Sequence, residues 1–181
     1  MKKIMFNDKY GLTQAVLEGR KTQTRRTFLK PGEETLLDGI TPEYLISVRS
    51  RYKVGETIAI AQPYADITPQ VDWVKCMIRK ETLGWNNKMF VRAEDMPHHI
   101  RITKIRIERL QDIKSEDCLK EGIWRDDNVG LEGTTYWYHG LANSSFRTPQ
   151  EAYASLIDRI SGKGTWASNP YVFVYDFELI D

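Results

Sequence analysis

The clearest hydrophobic pattern in the chain is an alternation of apolar and polar residues over Ile100–Leu110, which predicts a β-strand. The alternation slips by one residue at Thr103-Lys104, and such a slip indicates a β-bulge or a bend of the kind that helps barrels to close. A second long strand is predicted over Tyr171–Ile180, where apolar residues occupy both faces at first and one face later. Shorter strands are predicted over Lys3–Phe6 and Thr57–Gln62.

Three segments have helical patterns. Asp8 is a candidate N-cap for a helix over Lys9–Glu18, and Gly19 then fits the position after the helix, where a left-handed backbone suits glycine. A short helix is predicted over Ser115–Lys120. The strongest start signal is Thr148-Pro149-Gln150-Glu151, which combines a capping threonine, a proline in the first turn and the glutamate of a capping box. The apolar stripe of that third helix comprises Ala152, Tyr153, Leu156, Ile157 and Ile160.

Three further segments show neither the alternation of a strand nor the apolar stripe of a helix. They are predicted as loop insertions at about 28–50, 64–95 and 124–147. Within the second, Trp73–Arg79 is compatible with a strand. Several strands, three helices and long loops together predict the α+β class and a small β-barrel with flanking short helices. A length of 181 residues suits one domain covering 1–181.

Composition narrows the functional classes. The net charge is +1, so nucleic-acid binding would have to rest on a local patch rather than on a global positive field. Cys76 and Cys118 form neither a disulfide framework nor a zinc pattern, and we expect reduced thiols. No apolar run approaches the ~20 residues of a membrane helix. We therefore expect a cytoplasmic protein with no membrane partner.

A local concentration of positive charge follows the first predicted helix. Five cations and no acids lie between positions 20 and 30: Arg20, Lys21, Arg25, Arg26 and Lys30. One interpretation is structural, because the helix dipole stabilises cations near a helix C-terminus. The other is a cradle for phosphate or a polar base, in which arginine supplies paired donors and lysine a point charge.

The same segment resembles the signature of the ASCH family of PUA-like domains, Gly-x-Lys-x-x-Glu-x-Arg. Gly19, Lys21 and Arg26 match it, whereas Thr24 stands at the acidic position. Further segments that resemble the family are Tyr52–Ile60, Ile105–Ile123, Trp166 and Asn169–Val174, the last two being similar to the closing strand of phage and prophage members. The anchors therefore span most of the chain.

The resemblance implies a PUA-like β-barrel whose cleft beside the signature loop suits RNA or modified nucleosides. The residues that it implies for binding are Gly19, Arg20, Arg25 and Arg26. One branch of the family hydrolyses the acetyl amide of N4-acetylcytidine and also has threonine at the acidic position. Its catalytic lysine and threonine correspond to Lys21 and Thr24, and its glutamate aligns less firmly with Glu121.

Three functional hypotheses follow. The first is an RNA- or nucleoside-binding module with a basic cleft, and the second is an amidohydrolase of acylated cytidine. In the second, a lysine of lowered pKa would take the threonine proton, and the glutamate would orient the lysine or return a proton. The third is a phage-derived protein-interaction module. We expect no cofactor and no metal site, because the adjacent His98 and His99 point to opposite sides of an extended chain.

Loop aromatic residues form a second candidate set for base stacking. They are Trp73, Trp85, Trp124, Tyr136, Trp137 and Tyr138. Aromatic side chains beside cations build stacking platforms for bases. Their spacing follows no regular period, so we expect most of them to cover a small hydrophobic core and one or two to face the cleft.

Overall fold

A computed structural model of the chain describes residues 1–29, 39–67, 80–127, 133–141 and 145–181. The strands are β1 (Lys2–Ile4), β2 (Gln23–Thr27), β3 (Thr57–Ile60), β4 (His99–Arg109), β5 (Trp124–Asp126), β6 (Thr135–Trp137) and β7 (Tyr171–Leu179). Five of them form a mixed sheet in the order β1-β3-β4-β7-β2, in which only the β1–β3 pair is parallel. Strands β5 and β6 form a separate antiparallel pair.

Six α-helices lie in the described part of the chain: α1 (Leu12–Leu17), α2 (Pro42–Arg49), α3 (Tyr64–Ile67), α4 (Ser115–Lys120), α5 (Pro149–Ser161) and α6 (Thr165–Ser168). Short 3₁₀ helices cover Asp8–Tyr10, Lys88–Phe90, Ala93–Asp95 and Leu110–Asp112. None of the described helices has the length and apolar character that crossing a membrane requires.

The two long strands form the centre of the sheet, as their hydrophobic patterns predict. Strand β4 pairs with β7 along most of its length, and the register shifts between Ile102 and Lys104. This irregularity confirms the bulge predicted from the slip in alternation. Strand β7 is buried from Val172 to Tyr175, which explains why its first half is apolar on both faces.

The structure confirms the capping box predicted at Thr148 and shifts the start of the first helix. The Thr148 hydroxyl accepts a hydrogen bond from the Glu151 backbone N–H at 3.2 Å, and the Glu151 carboxylate accepts from the Thr148 backbone N–H at the same distance. This capping box starts α5. The first helix begins later than predicted, because Asp8–Tyr10 forms a 3₁₀ turn and the α-helical residues start at Leu12.

The predicted loop insertions need correction. Helix α2 lies inside the segment 28–50: Pro42 occupies its first turn, and the Thr41 hydroxyl accepts a hydrogen bond from the Tyr44 backbone N–H at 3.3 Å. Proline in that position starts a helix because the missing N–H would have no partner there. The segment 124–147 contains the β5–β6 pair. The strand predicted over Trp73–Arg79 lies outside the described residues.

The α+β class is confirmed, whereas a closed barrel is not formed by the described strands, whose pairing runs in one open row from β1 to β2. The two edges of this row nevertheless approach each other. The Arg26 side chain on β2 donates a hydrogen bond to the Met5 carbonyl, just after β1, at 2.7 Å. Residues from both edges line one cavity, with α5 along another wall. This cavity contains the candidate site.

Candidate functional site

Helix α1 ends in a turn at Gly19, and the chain that follows carries Lys21 and Arg25 into the protein interior. Gly19 has a φ of +72°, which confirms the predicted left-handed glycine, and its N–H donates to the Val16 carbonyl at 2.9 Å. The next turn is fixed by a hydrogen bond from the Lys21 N–H to the Ala15 carbonyl at 2.9 Å. Gly19 itself is exposed, and its role in the structure is to end the helix. The chain then enters the edge strand β2.

The Lys21 ammonium is buried, with a relative exposure of 2% for the residue. It donates to the Glu121 carboxylate at 2.6 Å, to the Glu121 carbonyl at 2.9 Å and to the Gln23 carbonyl at 2.8 Å. An ammonium has three donors, so all of them have partners. Burial lowers the pKa of Lys21, against the opposing effect of the Glu121 carboxylate.

Glu121 reaches this position because helix α4 ends against α1. The next residue, Gly122, has a φ of +101°, and a Cβ atom there would lie 3.1 Å from the Leu12 side chain. Glycine therefore permits both the backbone turn and the close approach of the two helices. The Glu121 side chain is 5% exposed, and its carboxylate contacts the Lys21 ammonium across the gap between α4 and β2.

Arg25 is the second buried cation of the segment. Its side chain has an exposure of 0% and contacts three carboxylates: Glu108 at 2.5 Å, Glu121 at 3.1 Å and Asp117 at 3.3 Å. Burial acts to lower the pKa of Arg25, but the effects of Glu121, Tyr153 and Glu108 outweigh it and the pKa is raised. The Glu121 carboxylate therefore bridges Lys21 and Arg25.

Arg106 on β4 extends this ionic network along the sheet. Its guanidinium contacts Asp176 at 2.5 Å, Asp117 at 2.9 Å and Glu108 at 3.1 Å. Gln23 joins the network by donating to Asp176. The inner cations of the segment, Lys21 and Arg25, are thus neutralised by Glu108 of β4, Asp117 of α4 and Glu121 just after α4, which makes their arrangement an internal network rather than an open phosphate cradle.

A cavity of about 460 Å³ lies beside this network. Lys21, Thr24, Arg25 and Glu121 all contribute to its lining, together with Arg26 of the segment. Its apolar wall includes Leu12, Leu110, Leu156, Ile157, Ile160 and Val172. The volume falls within the ~300–1,000 Å³ of ligand pockets, and the combination of an apolar wall with a few convergent polar groups is typical of them.

Thr24 lines the same cavity as the Lys21–Glu121 pair but makes no hydrogen bond to either residue. Its side chain is 5% exposed and makes no hydrogen bond with any residue that the structure describes. The structure therefore brings Lys21 and Glu121 into direct contact and leaves the Thr24 hydroxyl available. Contacts between a nucleophile and its base are often loose without substrate and tighten when it binds.

Among the residues of the cavity that sequence reasoning missed is a buried polar one, Tyr153. It is 2% exposed, and its hydroxyl is buried without a hydrogen-bond partner among the described residues. Its place in the apolar stripe of α5 suggested only a core residue. The stripe does lie along the cavity, as Leu156 and Ile157 show, but nothing in the spacing distinguishes a tyrosine that packs from one that faces a ligand.

The remaining cations of the segment take different positions. Arg20 contacts Glu18 at 2.6 Å, and its guanidinium lies 3.8 Å from the centre of the Trp124 ring, so it is held outside the cavity. Arg26 is exposed and lines both the cavity and a neighbouring groove of about 310 Å³. The other cations of that groove are Lys3, Arg49 and Arg51, and no acid appears among its lining residues in the described part of the chain.

The loop aromatics mainly pack against each other or the core. Trp124 and Trp137 stack with ring centres 5.1 Å apart, and Tyr138 is fully buried. Five of the six loop aromatics lie in the described part of the chain, and none of these five lines the cavity or the groove. Trp73 lies outside the described residues. Across the ranges the structure covers, no group of three or more His, Cys, Asp or Glu residues is arranged to hold a metal ion.

Comparisons with known proteins give little further guidance. No family model matches the chain, and no curated protein matches it. Among solved structures, the chain is similar to protein EF3133 from Enterococcus faecalis V583, of the DUF984 family model, with 16% identity and a TM-score of 0.43 over 100% of this chain and 77% of that one. Because the similarity is this distant, function has to be argued from the site.

Proposed function

We propose that the chain is an amidohydrolase that acts on N4-acetylcytidine or a similar acylated nucleoside. The observation that carries the proposal is the buried Lys21–Glu121 contact of 2.6 Å on the wall of a ligand-sized cavity that Thr24 also lines. The ASCH resemblance assigns catalytic roles to the same three residues. Two of the three are in direct contact although they lie 100 positions apart in the sequence.

The charge of the cavity supports a neutral ligand. The buried ionic groups that line it, Lys21, Arg25 and Glu121, are paired with each other, and much of the remaining lining is apolar. Arg26 is the exposed cation of the lining and also lines the neighbouring groove. An acylated base carries an amide and no charge, whereas a phosphate would have to separate Lys21 or Arg25 from its buried carboxylates. Breaking a buried pair in this way costs several kcal/mol, on the order of 3–5 kcal/mol.

The proposed chemistry begins with proton transfer from the Lys21 ammonium to the Glu121 carboxylate along their short contact, which leaves a neutral amine. The amine takes the Thr24 proton as the Thr24 oxygen attacks the acyl carbon, and it returns the proton to the leaving cytosine amine as the C–N bond breaks. Water then hydrolyses the threonyl ester with the same base. The lowered pKa of Lys21 favours the neutral amine that this sequence requires.

The direct test is incubation with N4-acetylcytidine and chromatography for cytidine and acetate. Thr24→Ala should remove turnover, because no oxygen remains to carry the acyl group. Lys21→Arg should also remove it, because arginine keeps the positive charge but cannot act as a base near neutral pH. Thr22→Ala is the matched control, since Thr22 precedes β2 and does not line the cavity. Turnover that survives both Thr24→Ala and Lys21→Arg would sink the assignment.

A second candidate function, RNA binding, is favoured by the groove next to the cavity. Lys3, Arg26, Arg49 and Arg51 line the groove without an accompanying acid in the described part of the chain. Such a surface suits a phosphodiester backbone, whose binding weakens with salt as counterions compete. The basic surface of this candidate is the groove and not the cleft beside Gly19–Arg26 that the sequence predicted. Of that segment, Arg25 is buried in ion pairs and Arg20 is held by Glu18 and Trp124.

Fluorescence anisotropy with a labelled single-stranded RNA at several salt concentrations tests the groove. Arg49→Ala or Arg51→Ala should each weaken binding and lower the slope of log K against log salt by about one. Arg125→Ala serves as the control, because that exposed arginine pairs with Asp127 outside the groove. Equal losses in the control and the groove variants would remove the support for this candidate.

A cleft around Lys21 that is filled by its own side chains would favour the interaction-module hypothesis. A cavity of about 460 Å³ beside Lys21 does not favour it. The site therefore supports a ligand-binding function best, with hydrolysis as the activity proposed for it.

A further inference from the structure

The Tyr153 hydroxyl is a buried polar group for which the structure shows no stabilising hydrogen bond among the described residues. Tyr153 is one of the residues that line the cavity. A buried hydroxyl without a partner costs about 1–3 kcal/mol relative to one that is hydrogen-bonded. Phenylalanine would fill the same space in α5 without that cost, so packing alone does not account for tyrosine.

The surroundings of Tyr153 define what this hydroxyl can do. Burial raises its pKa well above the ordinary value, and the nearby Glu121 carboxylate acts in the same direction. The hydroxyl therefore keeps its proton near neutral pH and can donate it in a hydrogen bond. Arg25 is also close enough to influence Tyr153, but all of its contacts with acids are made elsewhere, at Glu108, Asp117 and Glu121.

We propose that the Tyr153 hydroxyl binds the ligand of the cavity by donating a hydrogen bond to a carbonyl oxygen of a neutral amide, such as the acyl or ring carbonyl of an acylated base. The inference rests on the proposed function of the same site and adds a recognition residue that the ASCH resemblance does not supply. A carbonyl fits because it accepts without carrying charge, and the buried charges of the cavity, Lys21, Arg25 and Glu121, are already paired. The apolar residues that follow Tyr153 along α5, Leu156, Ile157 and Ile160, would contact the rest of the ligand.

Tyr153→Phe separates this role from a structural one. Removing a hydroxyl that has no partner should leave the melting temperature unchanged or raise it. The loss of one donor to the ligand should lower kcat/KM for N4-acetylcytidine on the order of 10- to 100-fold. The matched control is Tyr138→Phe: that hydroxyl hydrogen-bonds Ser155 at 2.8 Å and does not line the cavity, so this variant should lose stability and keep its kcat/KM.

The outcomes distinguish this inference from the function on which it rests. Wild-type turnover that Tyr153→Phe leaves unchanged overturns the role of Tyr153 alone, as does a melting temperature that falls as far as in Tyr138→Phe. If calorimetry shows that the wild type binds N4-acetylcytidine without hydrolysing it, the proposed hydrolysis is wrong. The Kd for this nucleoside then tests the role of Tyr153, and we expect Tyr153→Phe to raise it about tenfold. A wild type that neither binds nor hydrolyses this nucleoside overturns both.

Discussion

Replacing Glu121 with glutamine perturbs both buried cations of the site at once. The carboxylate contacts Lys21 at 2.6 Å and Arg25 at 3.1 Å, and all three side chains are 5% exposed or less. Glutamine keeps the volume but removes the charge that both cations share. Removing one partner of a buried ion pair costs about 3–5 kcal/mol. For a chain of this length, that corresponds to a fall in melting temperature of roughly 6–20 °C.

Replacing Lys21 with methionine should cost less. Glu121 then keeps Arg25 as its partner, so no buried carboxylate is left without a cation. What is lost is the set of donors to the Gln23 and Glu121 carbonyls, and buried acceptors without partners cost about 1–3 kcal/mol. The control is Lys120→Met, because Lys120 is 49% exposed and its contact with Asp117 is worth about 1 kcal/mol or less.

Urea denaturation, followed by circular dichroism, measures the three free energies of unfolding by linear extrapolation. The double variant Lys21→Met/Glu121→Gln then gives the coupling between the two residues. The expected order of destabilisation is Glu121→Gln, then Lys21→Met, then Lys120→Met. A Lys21→Met variant that is as unstable as Glu121→Gln would refute the view that Glu121 is the shared partner of two cations.

Three further outcomes are expected. Thr148→Ala should lose the capping box of α5 and about 1 kcal/mol of stability in urea denaturation, with Thr22→Ala, a threonine that does not start a helix, as the control. In a Cys76→Ser background, the fully buried Cys118 thiol should react with a thiol reagent only after unfolding. Burial raises the pKa of the Cys118 thiol from 9.0 to about 12. The thiol therefore loses its proton at a lower pH in the unfolded chain than in the folded protein, and the free energy of unfolding should fall as the pH rises through that range. The fall should be less steep in Cys118→Ala.

The parts of the fold that could be predicted depend on local signals. The alternation and slip of β4, the glycine that ends α1 and the capping box at Thr148 each involve residues close together in the sequence. Helix α2 was missed because Pro42 was interpreted as an interruption, although Thr41 before it supplies the cap that turns such a proline into a helix start. The β5–β6 pair was missed because three-residue strands carry too few positions for a period.

The candidate site could be predicted only in part, because its contacts are between distant residues. The segment after Gly19 showed cations and no acids, yet the partners of Arg25 lie 83 to 96 positions away in the sequence. The approach of Glu121 to Lys21 was expected from the family resemblance, not from any local pattern. Tyr153 had no signal beyond its place in an apolar stripe, since the stripe does not reveal whether its hydroxyl finds a partner.

The two faces of β2 explain how one basic run can serve two different surfaces. Successive side chains of a strand point to opposite faces, so Arg25 and Arg26 separate: the first is buried among carboxylates, and the second is exposed beside the groove. A run of cations in a sequence therefore does not by itself predict a basic surface, because one of two neighbouring cations on a strand can be buried among acids while the other is exposed. Since Arg26 and Thr27 line both the cavity and the groove, a base held in the cavity would leave its sugar and phosphate next to the exposed cations. The proposed hydrolysis and the proposed RNA binding are therefore compatible, with an acylated residue within an RNA strand as the ligand that would use both surfaces.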